Sequence, residues 1–161
     1  MSKAISLRAV CDADVPLLTS WLHKAHVRKW YGDPADWLAE INGRQEGFAW
    51  IHHFIVIAEG IPIGFGQYYD CFDAKEEWYA VPLRGVMYSI DYLIGEESYL
   101  GCGYGKAVIA CLTDAVRQSG AEWIVVQPDA ENTASCRALV ANGYAFDFGK
   151  AYYQKHLQKE Q

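Results

Sequence analysis

The sequence has few basic residues and no long apolar run, and each absence excludes a class of protein. Lysine and arginine together number 14, against 20 aspartates and glutamates, which gives a net charge of −6. A nucleic-acid binder usually presents a basic surface to phosphate, so this balance argues against one and suits a cationic small molecule instead. No stretch reaches the roughly 18 apolar residues that a membrane-spanning helix requires. We expect a cytoplasmic protein without a signal peptide or a membrane span.

The cysteines follow no metal-binding or disulfide pattern. There are five of them, scattered along the chain without a Cys-x-x-Cys pair or a Cys/His ligand spacing. The adjacent pair His52-His53 would point to opposite faces of a strand and cannot chelate from one side. We therefore expect a reducing compartment and no bound metal.

The length and the aromatic content indicate one well-packed domain. With 161 residues, the chain is expected to form a single domain over residues 1–161. Six tryptophans and eleven tyrosines are more than core packing alone requires.

The hydrophobic periodicity predicts strands that lead into alternating helices and strands. Such an order is typical of an α/β fold with a mixed sheet and helices on both faces. A short frayed tail is expected over residues 158–161, and residues 27–31 are left open as a helical turn or a loop. The predicted elements are strands at 4–9, 51–59, 62–70, 85–94 and 122–127, helices from Asp12 or Asp14 to 23, from Asp33-Pro34 to 43, at 103–118 and at 132–141, a polar loop at 71–84, and two short strands over 144–157.

The stretch from Leu100 to Lys106 carries glycines at alternate positions and opens a helix. Glycine allows a tight turn with uncovered N–H groups, and such groups at a helix N-terminus bind phosphate oxygens. The spacing G-x-G-x-G matches neither the dinucleotide fingerprint nor the Walker loop. The alternative is a glycine-rich turn that binds no ligand.

The element order and this loop resemble the GNAT family of acetyl-CoA-dependent N-acetyltransferases. The family motif Gln/Arg-x-x-Gly-x-Gly/Ala maps onto residues 100–105, with Leu100 in place of the usual Arg or Gln. A second family element, an Asn that opens the next helix and a later Gly-aromatic pair, fits Asn132 and Gly143-Tyr144. The resemblance implies a mostly antiparallel sheet in which strands 85–94 and 122–127 splay apart around the cofactor. It implies acetyl-CoA contacts at Tyr92, Leu93, Leu100, Gly101, Cys102, Gly103, Tyr104, Gly105, Lys106 and Asn132.

Further segments are similar to the aminoglycoside 6′-N-acetyltransferases within that family. These are Ser20-Trp21-Leu22, His26-Val27, Trp30-Tyr31-Gly32, Gly60-x-Pro62-Ile63-Gly64, Gln67, Tyr69 and Ile90-Asp91. Some of them also occur in acyltransferases that modify lysine- or hydroxylamine-type amines in siderophore synthesis. The resemblance implies transfer of acetyl to a primary amine, the 6′-amine of an aminoglycoside-like cationic small molecule. We expect direct transfer, because no Cys or Ser nucleophile with a base is evident in the sequence. The oligomeric state is left open between a monomer and a homodimer.

Asp91 is the candidate base and amine anchor. It lies in the middle of an apolar strand, where an unpaired carboxylate is costly, and an ammonium must lose a proton before it can attack. The resemblance also places a substrate-contacting Asp at this position and a thioester-binding backbone N–H near Tyr92 or Leu93. The alternative is an edge-facing or salt-bridged Asp.

An acidic, aromatic loop after the predicted hairpin suggests a wall that binds a polycation through ion pairs and ring faces. A solvated loop and ordinary core packing are the alternatives for its members. The predicted substrate-binding residues are Trp30, Tyr31, Gln67, Tyr69, Asp73, Glu76, Glu77, Trp78, Gln127 and Asp129.

Two positions depart from the family pattern. Leu139 replaces a Tyr that often protonates the leaving thiolate, so Tyr144 or water would take that role or the thiolate would leave unassisted. Gln127 stands where the aminoglycoside enzymes tend to carry an Asp, with Asp129 two residues on. These departures keep open another amine acceptor, such as a siderophore hydroxylamine or lysine, a polyamine or a protein N-terminus, and also a non-catalytic CoA-binding domain.

Overall fold

The computed structural model describes residues 3–81 and 83–157. The tail predicted to fray, residues 158–161, lies outside the described residues. Within the described ranges, no helix has the length and apolar character to cross a membrane. The strands are β1 (Ser6–Ala9), β2 (Ile51–Ala58), β3 (Ile61–Asp70), β4 (Met87–Ile94), β5 (Trp123–Val126), β6 (Ala145–Asp147) and β7 (Tyr152–His156). The helices are α1 (Val15–His23), α2 (Ala25–Tyr31), α3 (Pro34–Asn42), α4 (Cys71–Ala74), α5 (Tyr104–Gln118) and α6 (Thr133–Ala141).

All seven of these strands join one sheet in the order β1-β2-β3-β4-β5-β7-β6. Neighbouring strands are antiparallel except β4 and β5, which are parallel. Because side chains alternate along a strand, Ile55 packs with the core of α1 to α3 while Val56 packs with the core of α5 and α6. The predicted mixed sheet with helices on both faces is confirmed.

Strands β4 and β5 separate soon after they begin. They pair only at Met87–Trp123 and Tyr88–Ile124. Beyond these two pairs β5 continues along β7 on its other side, and β4 continues along β3. The predicted splayed strand pair is therefore present, and it leaves the edge of β4 that faces β5 without a strand partner beyond Tyr88.

The structure adds detail where the sequence left the choice open. Residues 27–31, predicted to form either a helical turn or a loop, belong to the helix α2, which begins at Ala25. The predicted loop at 71–84 begins with the short helix α4, whose N-cap Asp70 accepts a hydrogen bond from the Phe72 N–H. Asp14 precedes α1, a position where an aspartate commonly caps a helix, but its side chain makes no cap hydrogen bond to that helix.

Asp14 instead anchors β1 to the start of α1. Its carboxylate accepts hydrogen bonds of 2.9 and 2.8 Å from the guanidinium of Arg8 and one of 2.9 Å from the N–H of Cys11. These contacts, with Arg8 the larger, lower the pKa of Asp14 to about 2 from 3.8.

We expect the Asp14→Asn substitution to lower the free energy of unfolding at pH 7 by about 1–2 kcal/mol, since Arg8 is largely solvated and screens part of the effect. A depressed carboxyl pKa contributes stability above its unfolded value, and this contribution is lost as the pH falls from about 4 through 2. Denaturant unfolding measured across this pH range should therefore show that the unfolding free energies of wild type and variant converge at the acid end. A difference in stability that is independent of pH would contradict the assignment.

Candidate functional site

Two cavities lie where β4 and β5 separate. The first, here called the acidic cavity, has a volume of about 410 Å³ and extends from α2 and α3 to the end of β5. The second, the glycine-loop cavity, has about 330 Å³ and runs along residues 100–106. Five residues line both of them: Trp30, Tyr31, Tyr92, Asn132 and Ser135. The two spaces therefore adjoin at the strand whose edge the splay exposes.

The glycine-loop cavity ends in a group of free backbone donors. Gly101 and Gly103 have φ values of 71° and 87°, and a Cβ on either would meet nothing within 4 Å. Within the described chain, the N–H groups of residues 101–106 find no acceptor. They stand at the N-terminus of the 15-residue helix α5. Free N–H groups at a helix N-terminus form an anion site, so this loop fits a phosphate or pyrophosphate.

The remaining loop residues contribute unequally. Leu93, Leu100, Tyr104, Gly105 and Lys106, for which the resemblance implied contacts with acetyl-CoA, line the glycine-loop cavity. A Cβ on Gly105 would lie 3.2 Å from the ring of Tyr92, so this glycine makes room for protein and not for a ligand. Cys102 is exposed and lies outside the lining.

Asn132 has a local structural role at the junction. It is the N-cap of α6, where its side chain accepts a hydrogen bond of 3.3 Å from the N–H of Ser135. The predicted opening of this helix by an Asn is thus observed. The capped N-terminus of α6 faces both cavities.

The acidic cavity combines carboxylates with aromatic rings. Among the residues that the structure describes, no lysine or arginine lines it. A cation in such a space is attracted by the carboxylates and by the ring faces. Its acidic residues are Asp36, Glu40, Glu76, Asp91 and Asp129, and its aromatic residues are Trp30, Tyr31, Trp37, Trp50, Tyr69, Trp78 and Tyr92.

Asp91 lies on the wall of this cavity, in the part of β4 next to the splay. Its Oδ2 accepts a hydrogen bond of 2.9 Å from Nε2 of Gln67. Burial is the main cause that raises the pKa of Asp91 to about 6, with Gln67 lowering it and Glu76 raising it further. A carboxyl with this pKa is mostly ionised at pH 7 and still takes up a proton readily, which suits a general base.

Glu40 is a second carboxylate of this cavity, half-buried, and the sequence reasoning missed it. Burial raises the pKa of Glu40 to about 6, and the charges of Asp91, Glu76 and Asp36 add to the shift. Asp36 and Glu40 are four residues apart on α3, so they share one helix face. Like charges four residues apart destabilise a helix unless a cation lies nearby. This spacing in the sequence could therefore have indicated a cation-binding role for the two carboxylates.

Most of the predicted substrate-binding residues come together in the acidic cavity. Asp73 and Glu77 do not: Asp73 pairs with Arg84 at 2.6 Å, and Glu77 is exposed and outside the lining. The acidic loop after β3 therefore contributes Glu76 to the cavity. The predicted residues found in the lining are Trp30, Tyr31, Gln67, Tyr69, Glu76, Trp78, Gln127 and Asp129.

Tyr31 forms part of the wall between the two cavities. Its hydroxyl donates a hydrogen bond to the carbonyl oxygen of Tyr92. Its ring packs edge-on against Trp37 at a centroid distance of 5.5 Å. Tyr31 therefore both borders the cavities and packs against neighbouring protein groups.

The structure limits which residue could protonate the leaving thiolate. Leu139 is 1% exposed and borders the acidic cavity with an apolar side chain. Tyr144 is buried away from both cavities, and its hydroxyl lies 2.7 Å from that of Thr113. Tyr144 is therefore out of reach of the site in this structure, contrary to one of the expectations for that role.

Comparisons with known proteins agree with this geometry. The profile of the acetyltransferase (GNAT) domain matches residues 10–150. An aminoglycoside N(6′)-acetyltransferase type 1 of Klebsiella pneumoniae is 25% identical over 120 residues, which cover 69% of this chain and 58% of the relative. The match thus spans little more than half the length of that relative.

Two solved structures share the fold over nearly the whole chain. One is an aminoglycoside acetyltransferase AAC(6′)-Ib in complex with coenzyme A and kanamycin, with a TM-score of 0.81 at 20% identity and 95% coverage of both chains. The other is an acetyltransferase of Salmonella typhimurium with its cofactor acetyl-CoA, with a TM-score of 0.65 at 19% identity, covering 98% of this chain and 96% of that one. The match to the domain profile confirms the predicted family and, at the level of the family, the predicted cofactor acetyl-CoA. The chain belongs to the GNAT family of acetyltransferases.

Proposed function

We propose that this chain transfers acetyl from acetyl-CoA directly to a primary amine of a cationic small molecule, an aminoglycoside-like compound with a 6′-amine. One observation supports this most: an acidic, aromatic cavity adjoins the anion-binding loop cavity, with Asp91 on the wall near the junction. The names of the relatives support the choice of aminoglycosides.

Acetyl-CoA fits the glycine-loop cavity. The free N–H groups of residues 101–106 would hold its pyrophosphate, and Lys106 adds a positive charge beside them. The exposed edge of β4 at Tyr92 and Leu93 would contact the part of the cofactor that carries the acetyl group. When bound, the cofactor supplies an activated acyl group as a thioester.

Asp91 would prepare the amine. A cationic substrate enters a cavity that offers five carboxylates, and its ammonium lies against Asp91, which Gln67 holds in place. The ionised carboxylate would accept a proton from the ammonium, and the freed lone pair would then attack the thioester carbonyl carbon. A C–N bond would form, the C–S bond would break, and coenzyme A would leave as the thiolate. Transfer is direct because no Cys or Ser with an adjacent base borders the junction among the described residues; Ser135, which does border it, contacts Asn132 and Tyr92.

The decisive experiment is steady-state release of free CoA thiol from acetyl-CoA. The panel contains aminoglycosides with and without a 6′-amine, polyamines and lysine derivatives. Turnover restricted to the 6′-amine compounds is the expected result. Turnover of polyamines alone would contradict the proposed substrate class and would support acetyl transfer to an amine.

A second function is favoured by Leu139. With an apolar side chain at this wall and Tyr144 remote, the described chain offers no tyrosine at the family's usual acid position. A non-catalytic CoA-binding domain would bind coenzyme A in calorimetry and release no thiol with any amine of the panel.

The Glu40→Gln variant tests the binding of the acceptor's charges. We expect its KM for a polycationic acceptor to rise about fivefold at pH 8, with kcat nearly unchanged, because one ion pair is lost. At pH 5 the difference should vanish, since a carboxyl with a pKa of about 6 is already protonated there. Glu122→Gln is the matched control, because Glu122 is exposed and lies outside both cavities. An equal KM in wild type and Glu40→Gln at pH 8 would count against a role of Glu40 in binding.

A further inference from the structure

Three polar side chains form a row across the sheet on the side of the acidic cavity. His53 on β2 is paired with Gln67 on β3, and Gln67 is paired with Asp91 on β4. Directly opposed residues of antiparallel strands hold their Cβ atoms about 5 Å apart and present their side chains on the same face. Gln67 already donates to Asp91 through Nε2, at 2.9 Å.

The other two members of the row have unmet hydrogen-bonding capacity. His53 is 6% exposed and Gln67 is 2% exposed. Both ring nitrogens of His53 and Oε1 of Gln67 are buried without a partner in the described chain. Unpartnered buried polar groups are costly. Here a residue with a ring N–H and a residue with a free amide oxygen are directly paired across β2 and β3, and no hydrogen bond joins their side chains in this structure.

Arg44, the charged group that acts on His53, already has other partners. Arg44 donates to the carbonyl of Ile41 at 2.9 Å and pairs with Asp12. Two acidic groups are coupled to Asp91: Glu76 acts on it, and it acts on Glu40. Neither has a proton to donate to Gln67 when ionised. His53 is thus the donor that the strand register supplies to Oε1 of Gln67.

We propose that His53 is a positioning residue: a change of its side-chain torsion angles brings a ring N–H to Oε1 of Gln67, and the hydrogen bond so formed keeps the amide nitrogen of Gln67 directed at Asp91. A side-chain amide has two orientations, and the reversed one would place Oε1 against the carboxylate. Burial lowers the pKa of His53 to about 4, so the ring is neutral near pH 7 and has one N–H and one acceptor nitrogen. The functional consequence rests on the proposed role of Asp91 as the base.

The test is the titration of the Asp91 carboxyl by carbon-13 NMR in the free protein. His53→Phe removes the donor and keeps a ring, whereas His53→Gln retains an N–H donor. We expect a midpoint about one pH unit higher in His53→Phe, because Gln67 then no longer stabilises the ionised form reliably. His53→Gln should stay close to wild type. His52→Phe is the matched control, because His52 is the next residue on β2 and stacks on Tyr68 on the other face.

The activity should follow the titration. At pH 6, kcat/KM of His53→Phe is expected to fall about fivefold as the ionised fraction of Asp91 falls. In a Gln67→Leu background, His53→Phe should shift the Asp91 midpoint no further.

Two results would overturn the proposal. One is an unchanged midpoint in His53→Phe, and the other is a full additional shift in the Gln67→Leu background. Gln67→Leu alone must raise the midpoint, and this stays measurable if His53→Phe does not fold. The titration needs no substrate. Activity retained in Asp91→Asn would therefore refute the role of Asp91 as the base without affecting the proposed positioning of Gln67 by His53.

Discussion

The Asp91→Asn variant is expected to lose turnover by about 10²–10⁴-fold. The substitution keeps the size of the side chain and removes the ionised oxygen that accepts the proton of the ammonium. Affinity for coenzyme A should be nearly unchanged, because Asp91 lines the acidic cavity and not the glycine-loop cavity. Thiol release and calorimetric binding of coenzyme A measure the two effects separately.

The stability of this variant provides the control. Burial raises the pKa of Asp91 to about 6 from 3.8, so the folded protein binds its proton more tightly than the unfolded chain does. The ionised group therefore costs stability above pH 6, and its removal should leave the melting temperature at pH 8 equal or higher. A loss of turnover with a lower melting temperature would indicate damage to the fold. Full turnover in Asp91→Asn would show that Asp91 is not the base.

The Gly103→Ala variant is expected to bind coenzyme A at least about tenfold more weakly. Gly103 lines the glycine-loop cavity and has a φ of 87° with open space where a Cβ would stand, so we expect the new methyl group to compete with a phosphate for this space. Hydrogen bonds to a charged group contribute more than neutral ones, and their loss dominates the affinity. Calorimetric titration with coenzyme A gives the change directly.

Gly120→Ala is a matched control for that variant. Gly120 follows α5, has a φ of 92° and also has open space at its Cβ position. Both substitutions force alanine into the left-handed region and should lower stability by about 1–2 kcal/mol. Coenzyme A binding should fall in Gly103→Ala alone. An equal loss in Gly120→Ala would attribute the effect to general destabilisation, and unchanged binding in Gly103→Ala would remove the loop from the cofactor site.

Local chemistry made most of the fold readable. The β2–β3 hairpin follows from two apolar runs joined at Gly60, and α5 from the amphipathic period after the glycine loop. Asp33 and Asn132 cap α3 and α6 as their side chains predict. Such features depend on neighbours within a few residues, so the sequence specifies them directly.

The set of residues that line the acidic cavity was harder to predict from the sequence. Asp73 and Glu76 are three residues apart, yet Glu76 lines the cavity whereas Asp73 lies outside it and pairs with Arg84. Glu40 enters it because α3 packs across the sheet beside β4. Neither outcome is a property of the local sequence.

The sequence by itself determined the glycine-rich loop before α5, most of the strands and helices, and the presence of Asp91 in an apolar strand. Only the tertiary structure decided that His53, Gln67 and Asp91 form one row, since Gln67 and Asp91 are 24 residues apart and strand register sets their pairing. Register and helix packing are fixed by burying both faces of the sheet together, and a one-residue slip would turn these side chains to the other face. The chemistry of the loop is therefore written in consecutive residues, whereas that of the acidic cavity arises from the packing of distant ones.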